Sequence, residues 1–390
     1  MNIVHIAPNG VFSDGWTYQE NLLTKYQMKL GHTVTLITQN HAWVDGKDTE
    51  VPCSDEVSRD GFRVIRLERK ALIGGPFKSF VPYLDVYQLL VELKPDMIFY
   101  HGMVNATICQ AARYKKKVNK NLVLVQDNHL DYNIGKLEPG LKGKMSYLRN
   151  RLYYRMTGSY VDRVYGVTPW RKKYAIEVYG VPESKADVLI MGADDEKIDF
   201  AHRAQIRESI RKQYGIPDDS FLIVTGGKLD KNKNIPALME AVRDYPEITL
   251  LIFGNVLDDI RETFDRLLAE NPRIQSIGWI PGDKIYDYFF AADLVCFPGQ
   301  HSVLWEQACA AKVPCLFKKW EGMEHVDNGG NSALVDLSQE GSLSRALKEL
   351  LFTDKYAGMK KAAESDKTDV YLYSHIAEKS LELLEQRSRR

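Results

Sequence analysis

Cysteine is scarce in this 390-residue chain: Cys53, Cys109, Cys296, Cys309 and Cys315 are all there are. Their odd number, with three in or beside apolar runs, argues for reduced, buried thiols and against a disulfide framework, which predicts a cytosolic protein. No Cys or His pair has zinc-finger spacing. Long apolar runs are missing too, since none approaches the roughly 20 residues a spanning helix needs. No basic-then-apolar signal peptide opens the sequence, so the expected location is cytoplasmic, with any membrane contact peripheral on the inner face. Net charge is absent as well: 52 basic residues cancel 52 acidic ones, and no global field selects nucleic acid. There is no G-x-x-x-x-G-K-[ST] loop for ATP hydrolysis and no G-x-G-x-x-G after either first strand for a nicotinamide cofactor. No D-x-D pair at a strand end clamps a metal, and no G-x-S-x-G elbow is present.

What the chain does hold is repeated alternation of short apolar runs and helical periodicity. Residues 2–6 (NIVHI) read as a strand, and TYQENLLTKYQMKLG carries a helix pattern that Gly31 stops before a second strand over 32–38. The loop inside this βαβ unit, APNGVFSDGW, lies at the carboxyl edge of the sheet, where open α/β folds bind ligands. Residues 41–61 are polar and predict an irregular excursion. Strands FRVIRL (62–67), DMIFY (96–100) and NLVLVQ (121–126) then alternate with the helix patterns VYQLLVEL and ATICQAARYKK, which predicts a doubly wound parallel sheet. ADVLIMGADD (186–195) closes the series, and EKIDFAHRAQIRESIRKQYGI predicts one polar helix opening a second. Its strands are FLIVTGG (221–227), ITLLIFG (248–254), RIQSIGW (273–279), DLVCFPG (293–299) and PCLF (314–317). Two such series predict two Rossmann-like doubly wound domains facing a cleft.

Three loops carry candidate chemistry. GQHSVLWEQACAAKVPCLF (299–317) runs from a strand pattern into a helix with Val303, Leu304, Ala308 and Ala311 on one side. First-turn amides lack helical partners, so a phosphate can dock on the Ser302 and Val303 backbone while the Ser302 hydroxyl caps. Glu306, one turn further in, can point back to the same ligand; the plainer reading is a solvated helix face. GGKLDKNKN (226–234) sets Lys228 and Lys233 beside a glycine corner. DNHLDY (127–132) places Asp127, His129 and Asp131 at a strand's carboxyl end, as DMIFY does for His101.

WEQACAAKVP resembles the nucleotide-sugar segment of retaining glycosyltransferases with the two-Rossmann GT-B architecture, and the chain is similar to glycosyltransferase family 4 (glycosyl transferases group 1). The resemblance implies that Glu306 holds the ribose hydroxyls of a nucleotide donor. That family usually has another Glu eight positions earlier, on the donor sugar. Here the position is Pro298, followed by Gly299, Gln300 and His301, so Gln300 or His301 is expected to supply the polar contact. Gly227, Lys228 and Lys233 match the family's glycine corner with its two bases, which implies that both lysines stabilise the departing diphosphate. Arg is commoner at the first place, and Lys228 supplies a point charge in place of a fork. Gly278-Trp279-Ile280 resembles the loop whose backbone reads the base, and Glu324 falls in the EGMEHVDNGGN stretch that closes the donor site. Gly15-Trp16 resembles the glycine pair that approaches the donor phosphates or acceptor, with a plain turn as the alternative. His129 resembles the histidine lining the donor sugar, with a solvated loop residue as the alternative, and His101 is a weaker candidate of that kind. The implied layout is an N-terminal acceptor domain over 1–195, a C-terminal donor domain over 196–370, and a last helix over 371–390 crossing back to the first.

Between 142 and 173, Lys142, Lys144, Arg149, Arg151, Arg155, Arg163, Arg171, Lys172 and Lys173 face one acid, Asp162, with Tyr147, Tyr153, Tyr154, Tyr160 and Trp170 among them. The stretch suits anionic lipid headgroups or a diphosphate-linked acceptor, with a solvated helix face as the alternative. No nucleic-acid motif accompanies it. The combined expectation is a retaining, metal-independent hexosyltransferase without cofactor. It would move sugar from a nucleotide-diphosphate donor, UDP ahead of GDP, to a bacterial glycan or lipid-linked acceptor. The alternatives are a nucleotide-sugar epimerase of similar fold and a sugar-nucleotide-binding protein without catalysis.

Overall fold

The computed structural model describes residues 1–44, 46–72, 81–132 and 141–389, apart from the side chains at 141 and 142. The chain forms two compact units, one of Met1–Ile190 with the residues from Ile376 on, the other of Met191–His375.

The strands of the first unit are β1 (Asn2–Ala7), β2 (Thr33–Gln39), β3 (His41–Val44), β4 (Lys47–Glu50), β5 (Ser54–Val57), β6 (Arg63–Leu67), β7 (Lys70–Ala71), β8 (Pro82–Tyr83), β9 (Met97–Tyr100), β10 (Val123–Asn128), β11 (Arg163–Gly166) and β12 (Ala186–Val188). Its helices are α1 (Gln19–Lys29), α2 (Tyr87–Leu93), α3 (Ile108–Lys117), α4 (Leu141–Thr157) and α5 (Pro169–Tyr174). The sheet runs β12-β11-β10-β9-β1-β2-β6-β5 and is parallel except at its edge, where β5 meets β6 antiparallel. The polar excursion over 41–61 is therefore not irregular: β3 and β4 form a hairpin and β5 edges the sheet. These strands are almost wholly exposed, so no apolar alternation marks them. The central strands β1, β9 and β10 are buried along nearly their whole length, as apolar runs between two helical layers require. Sequence order reverses between β1 and β9, and the polar residues His5, Gln126, Asp127 and Asn128 lie buried on the central strands there.

In the second unit come α6 (Arg203–Gln213), β13 (Phe221–Leu229), α7 (Ile235–Ala241), β14 (Ile248–Val256), α8 (Arg261–Glu270), β15 (Ile274–Gly278), α9 (Ile285–Ala291), β16 (Leu294–Phe297), α10 (Leu304–Ala310), β17 (Cys315–Lys318), β18 (Ser332–Val335), α11 (Ser342–Phe352), α12 (Lys355–Ala363) and the first residues of α13 (Tyr373–Ser388). The sheet order is β15-β14-β13-β16-β17-β18, all parallel, and it reverses between β13 and β16. Its core packs Ile223, Leu250, Ile252, Leu294 and Leu316 against Leu238, Phe264 and Leu347. The single helix expected from 196 to 216 is broken into two short turns and α6, because the Asp194 and Asp199 carboxylates cap backbone N–H groups at Glu196 and His202.

Candidate active site

Open parallel sheets bind ligands at the carboxyl ends of the strands where their order reverses. In the second unit that point lies between β13 and β16. They pair at Ile223–Leu294 and Val224–Val295, while β13 runs on beside β14 to Leu229. Two glycines show how closely the loops beyond come together. A Cβ on Gly299 would lie 2.3 Å from Lys233 Cα, and Gly227, at φ 113°, would place one 3.2 Å from Leu304 Cδ1. The approach at Gly299 leaves no room for a Cβ, and the positive φ of Gly227 favours glycine. Gln300 N–H then donates to the Asn232 carbonyl at 2.8 Å, and Lys233 Nζ donates to the Gln300 carbonyl at 2.8 Å. Lys233 thus bridges the two loops through one of its three N–H donors, and burial lowers its pKa despite the nearby Asp230 charge. Lys228 stands exposed near the end of β13.

Glu306 is fully buried, not on a solvated face. Its Oε1 accepts hydrogen bonds from His301 Nε2 and His325 Nε2, both at 2.8 Å, while Oε2 is buried without a protein partner. Burial would raise its pKa, but the charges and hydrogen bonds of the two imidazoles overcome this and hold the carboxyl well below its usual range. Trp305 backs the group, stacked on Phe317 at 4.5 Å and touched edge-on by the His301 ring. His301, expected at the donor sugar, is thus engaged with Glu306. Ser302 does not cap: α10 starts at Leu304 with Val303 as its N-cap and no side-chain bond, and the Ser302 carbonyl takes the Trp305 N–H at 3.0 Å.

Glu324 is exposed, and its neighbour His325 is the residue that reaches Glu306. Sequence reasoning missed His325, although it lies inside the stretch singled out; adjacent polar residues carry no pattern that says which one turns inward. Ile280 follows β15, with β14 between that edge strand and β13, and is half-buried beside the exposed Trp279. In the first unit, Gly15 turns at φ 77° and Trp16 is exposed, stacked on Trp43 at 6.5 Å. His129 is part-exposed, with Nε2 3.3 Å from Oδ2 of the fully buried Asp127. Asp131 pairs with Arg171 at 3.3 Å.

Two clusters, His101–Asp127–His129 and His301–Glu306–His325, bring potential ligand atoms within 4.8 Å of one another. In each, imidazole nitrogens lie 2.8–3.3 Å from the carboxylate, within hydrogen-bonding distance. Both are hydrogen-bonded carboxylates as they stand.

Two α/β units with parallel sheets, each with polar side chains gathered where its strand order reverses, have the two Rossmann-like domains of the GT-B architecture. The chain belongs to the group 1, family 4-like glycosyltransferases: residues 21–197 match the family model Glycosyltransferase Family 4 and residues 206–366 match Glycosyl transferases group 1. Over 243 residues it is 22% identical to the processive diacylglycerol alpha-glucosyltransferase of Acholeplasma laidlawii, covering 58% of this chain and 69% of that protein. Its fold is similar to that of a glycosyltransferase from Rickettsia africae, at TM-score 0.71 and 17% identity over 100% of this chain and 99% of the other. HepE from Anabaena, solved in complex with UDP, is similar at TM-score 0.69 and 16% identity over 99% and 100%. Among the described residues no helix is long and apolar enough to cross a membrane.

Proposed function

We propose that this glycosyltransferase moves a hexose from a UDP-sugar to a lipid-linked or glycan acceptor of the bacterial surface, with retention and without a divalent metal. The observation that carries the donor half is Glu306. A buried carboxylate with one oxygen saturated by two imidazoles and the other without a protein partner is built to accept hydrogen bonds from a neutral polar ligand such as a ribose diol. Lys228 and the backbone around Ser302 and Val303 balance the leaving diphosphate, and Lys233 holds the two loops at the spacing this needs. His129, which resembles the family histidine that lines the donor sugar, is proposed for that role. The UDP of HepE and the diacylglycerol named for the Acholeplasma enzyme support the choice of nucleotide and of a lipid acceptor.

The acceptor reading also draws on α4. Met145, Leu148, Leu152 and Met156 form one exposed stripe on it, with Lys144, Arg151 and Arg155 exposed alongside. An apolar stripe bordered by bases suits an anionic bilayer surface.

UDP affinity tests the donor site. Because Glu306 is buried against two histidines, Glu306→Gln is the informative change, since truncation to Ala would strand both imidazoles. A charge-assisted hydrogen bond is worth about 1.5–3 kcal/mol, so UDP binding by calorimetry should weaken roughly ten- to hundredfold. An unchanged dissociation constant would take Glu306 out of the donor site.

A further inference from the structure

The first unit contains a buried chain of polar side chains behind His129. Ser380 Oγ donates to the Ala377 carbonyl at 2.6 Å, so it accepts from Gln27 Nε2 at 2.8 Å. That orientation turns Gln27 Oε1 toward His5, and because a carbonyl oxygen only accepts, His5 Nε2 must carry the proton of their 2.7 Å bond. His5 Nδ1 lies 3.0 Å from His101 Nε2, and His101 Nδ1 lies 2.9 Å from Asp127 Oδ2. A His5 neutral at Nδ1 can only accept there, so His101 Nε2 donates to it. A carboxylate can only accept, so His101 Nδ1 donates as well. Both nitrogens of His101 are then protonated. Asp127 completes its set with the Gly102 N–H on Oδ1 at 2.6 Å and His129 Nε2 on Oδ2 at 3.3 Å.

We propose that His101 carries the extra proton of the His5–His101 pair as an imidazolium, that it helps keep Asp127 ionised, and that Asp127 thereby holds His129 with Nε2–H inward and Nδ1 outward. His129 then meets a donor-sugar hydroxyl as an acceptor. His5, His101 and Asp127 are positioning residues, acting on the reaction only through His129, and Gln27 and Ser380 extend their chain to the last helix.

The surroundings fit this charge. His5 is buried completely, and burial followed by the His101 charge depresses its pKa to about 3, so it stays neutral. Burial would lower the pKa of His101 too, but the charge and hydrogen bond of Asp127, with Glu20 from α1, outweigh it and raise the value. The charged and titratable groups facing His101 are therefore His5 on β1, Glu20 on α1, and Asp127 and His129 at the end of β10. Phe99 fills the remaining contact, its ring 4.9 Å from that of His101.

The inference rests on His129 serving the donor sugar, and two measurements separate it from that reading. Histidine-ring nitrogen NMR on the full chain should show His101 still protonated at both nitrogens at the pH where an ordinary histidine is half-titrated, with His5 a single neutral tautomer. A neutral His101 there would overturn the proposal whatever the variants do. With UDP-glucose as probe, His101→Gln should slow hydrolysis at least about tenfold and erase the alkaline limb of kcat, while UDP affinity stays within about twofold. Full turnover in His101→Gln, with His129→Ala strongly impaired, would refute the positioning role alone. An unimpaired His129→Ala would refute the sugar assignment and the positioning role together.

Discussion

Glu306 and Asp127 are the same solution reached twice. Each is a fully buried carboxylate near the point where its sheet reverses order, held ionised by two imidazoles. An unpaired carboxylate so buried would protonate, so the histidines are what make the buried charge possible. The histidines behind Asp127 also set how stability responds to pH. His5 has a folded pKa depressed from 6.5 to about 3, so below 6.5 the unfolded chain binds a proton that the folded one refuses, and stability falls as pH falls. His101 is shifted upward, so its contribution is complete below 6.5 and is lost as pH rises through its folded value. Stability should therefore peak near 6.5, falling on the acid side by about 1.4 kcal/mol per pH unit from His5 alone. Urea unfolding across the range measures this. A flat acid side, or one unchanged by His5→Asn, would contradict the assignment.

At the level of the element, α4 shows why a count along the chain misleads. Of the nine bases between 142 and 173, Lys142 has its side chain outside the described residues. Arg163 pairs with Asp187, and Arg171 with Asp131, both acids from outside the segment. Tyr153 and Tyr154, which read as surface aromatics, are buried in the core. What remains is the exposed stripe of α4 and its flanking bases. Leu148→Ser with Leu152→Ser should cut binding to phosphatidylglycerol vesicles roughly tenfold without lowering stability, because both leucines are exposed and burying one in lipid is worth about 1.5–3 kcal/mol at most. High salt should weaken the wild type's binding. Equal pelleting with neutral and anionic vesicles would dismiss the electrostatic part.

For the whole molecule, the prediction concerns the reaction. Turnover in excess chelator should match that without it, because the proposed mechanism gives Lys228 and the Ser302 and Val303 amides the charge balance that a metal supplies elsewhere. The glycosidic product should keep the anomeric configuration of the donor, as read from its anomeric proton coupling. Activity lost with chelator and restored by magnesium would rule out metal independence, and an inverted product would rule out retention.

Taken alone, the sequence determined the two-unit α/β architecture, because strand and helix periodicities are local signals; the β3–β4 hairpin and the antiparallel edge strand β5 carried no such signal. It also marked the loops, since Gly299 stands where two backbones touch and Gly227 takes φ 113°. The tertiary structure decided which side chains those loops turn inward. Lys233 gives one of its N–H groups to a loop carbonyl, Ser302 leaves α10 uncapped, and His325, not the exposed Glu324 beside it, reaches Glu306. His5 reads as one polar residue in an apolar strand until β1, β9, β10 and α1 surround it and its hydrogen bonds define where the protons lie. Periodicity assigns a residue to a face of its element, and a hydrogen bond depends on a partner 22 or 96 positions away, which only packing brings within reach.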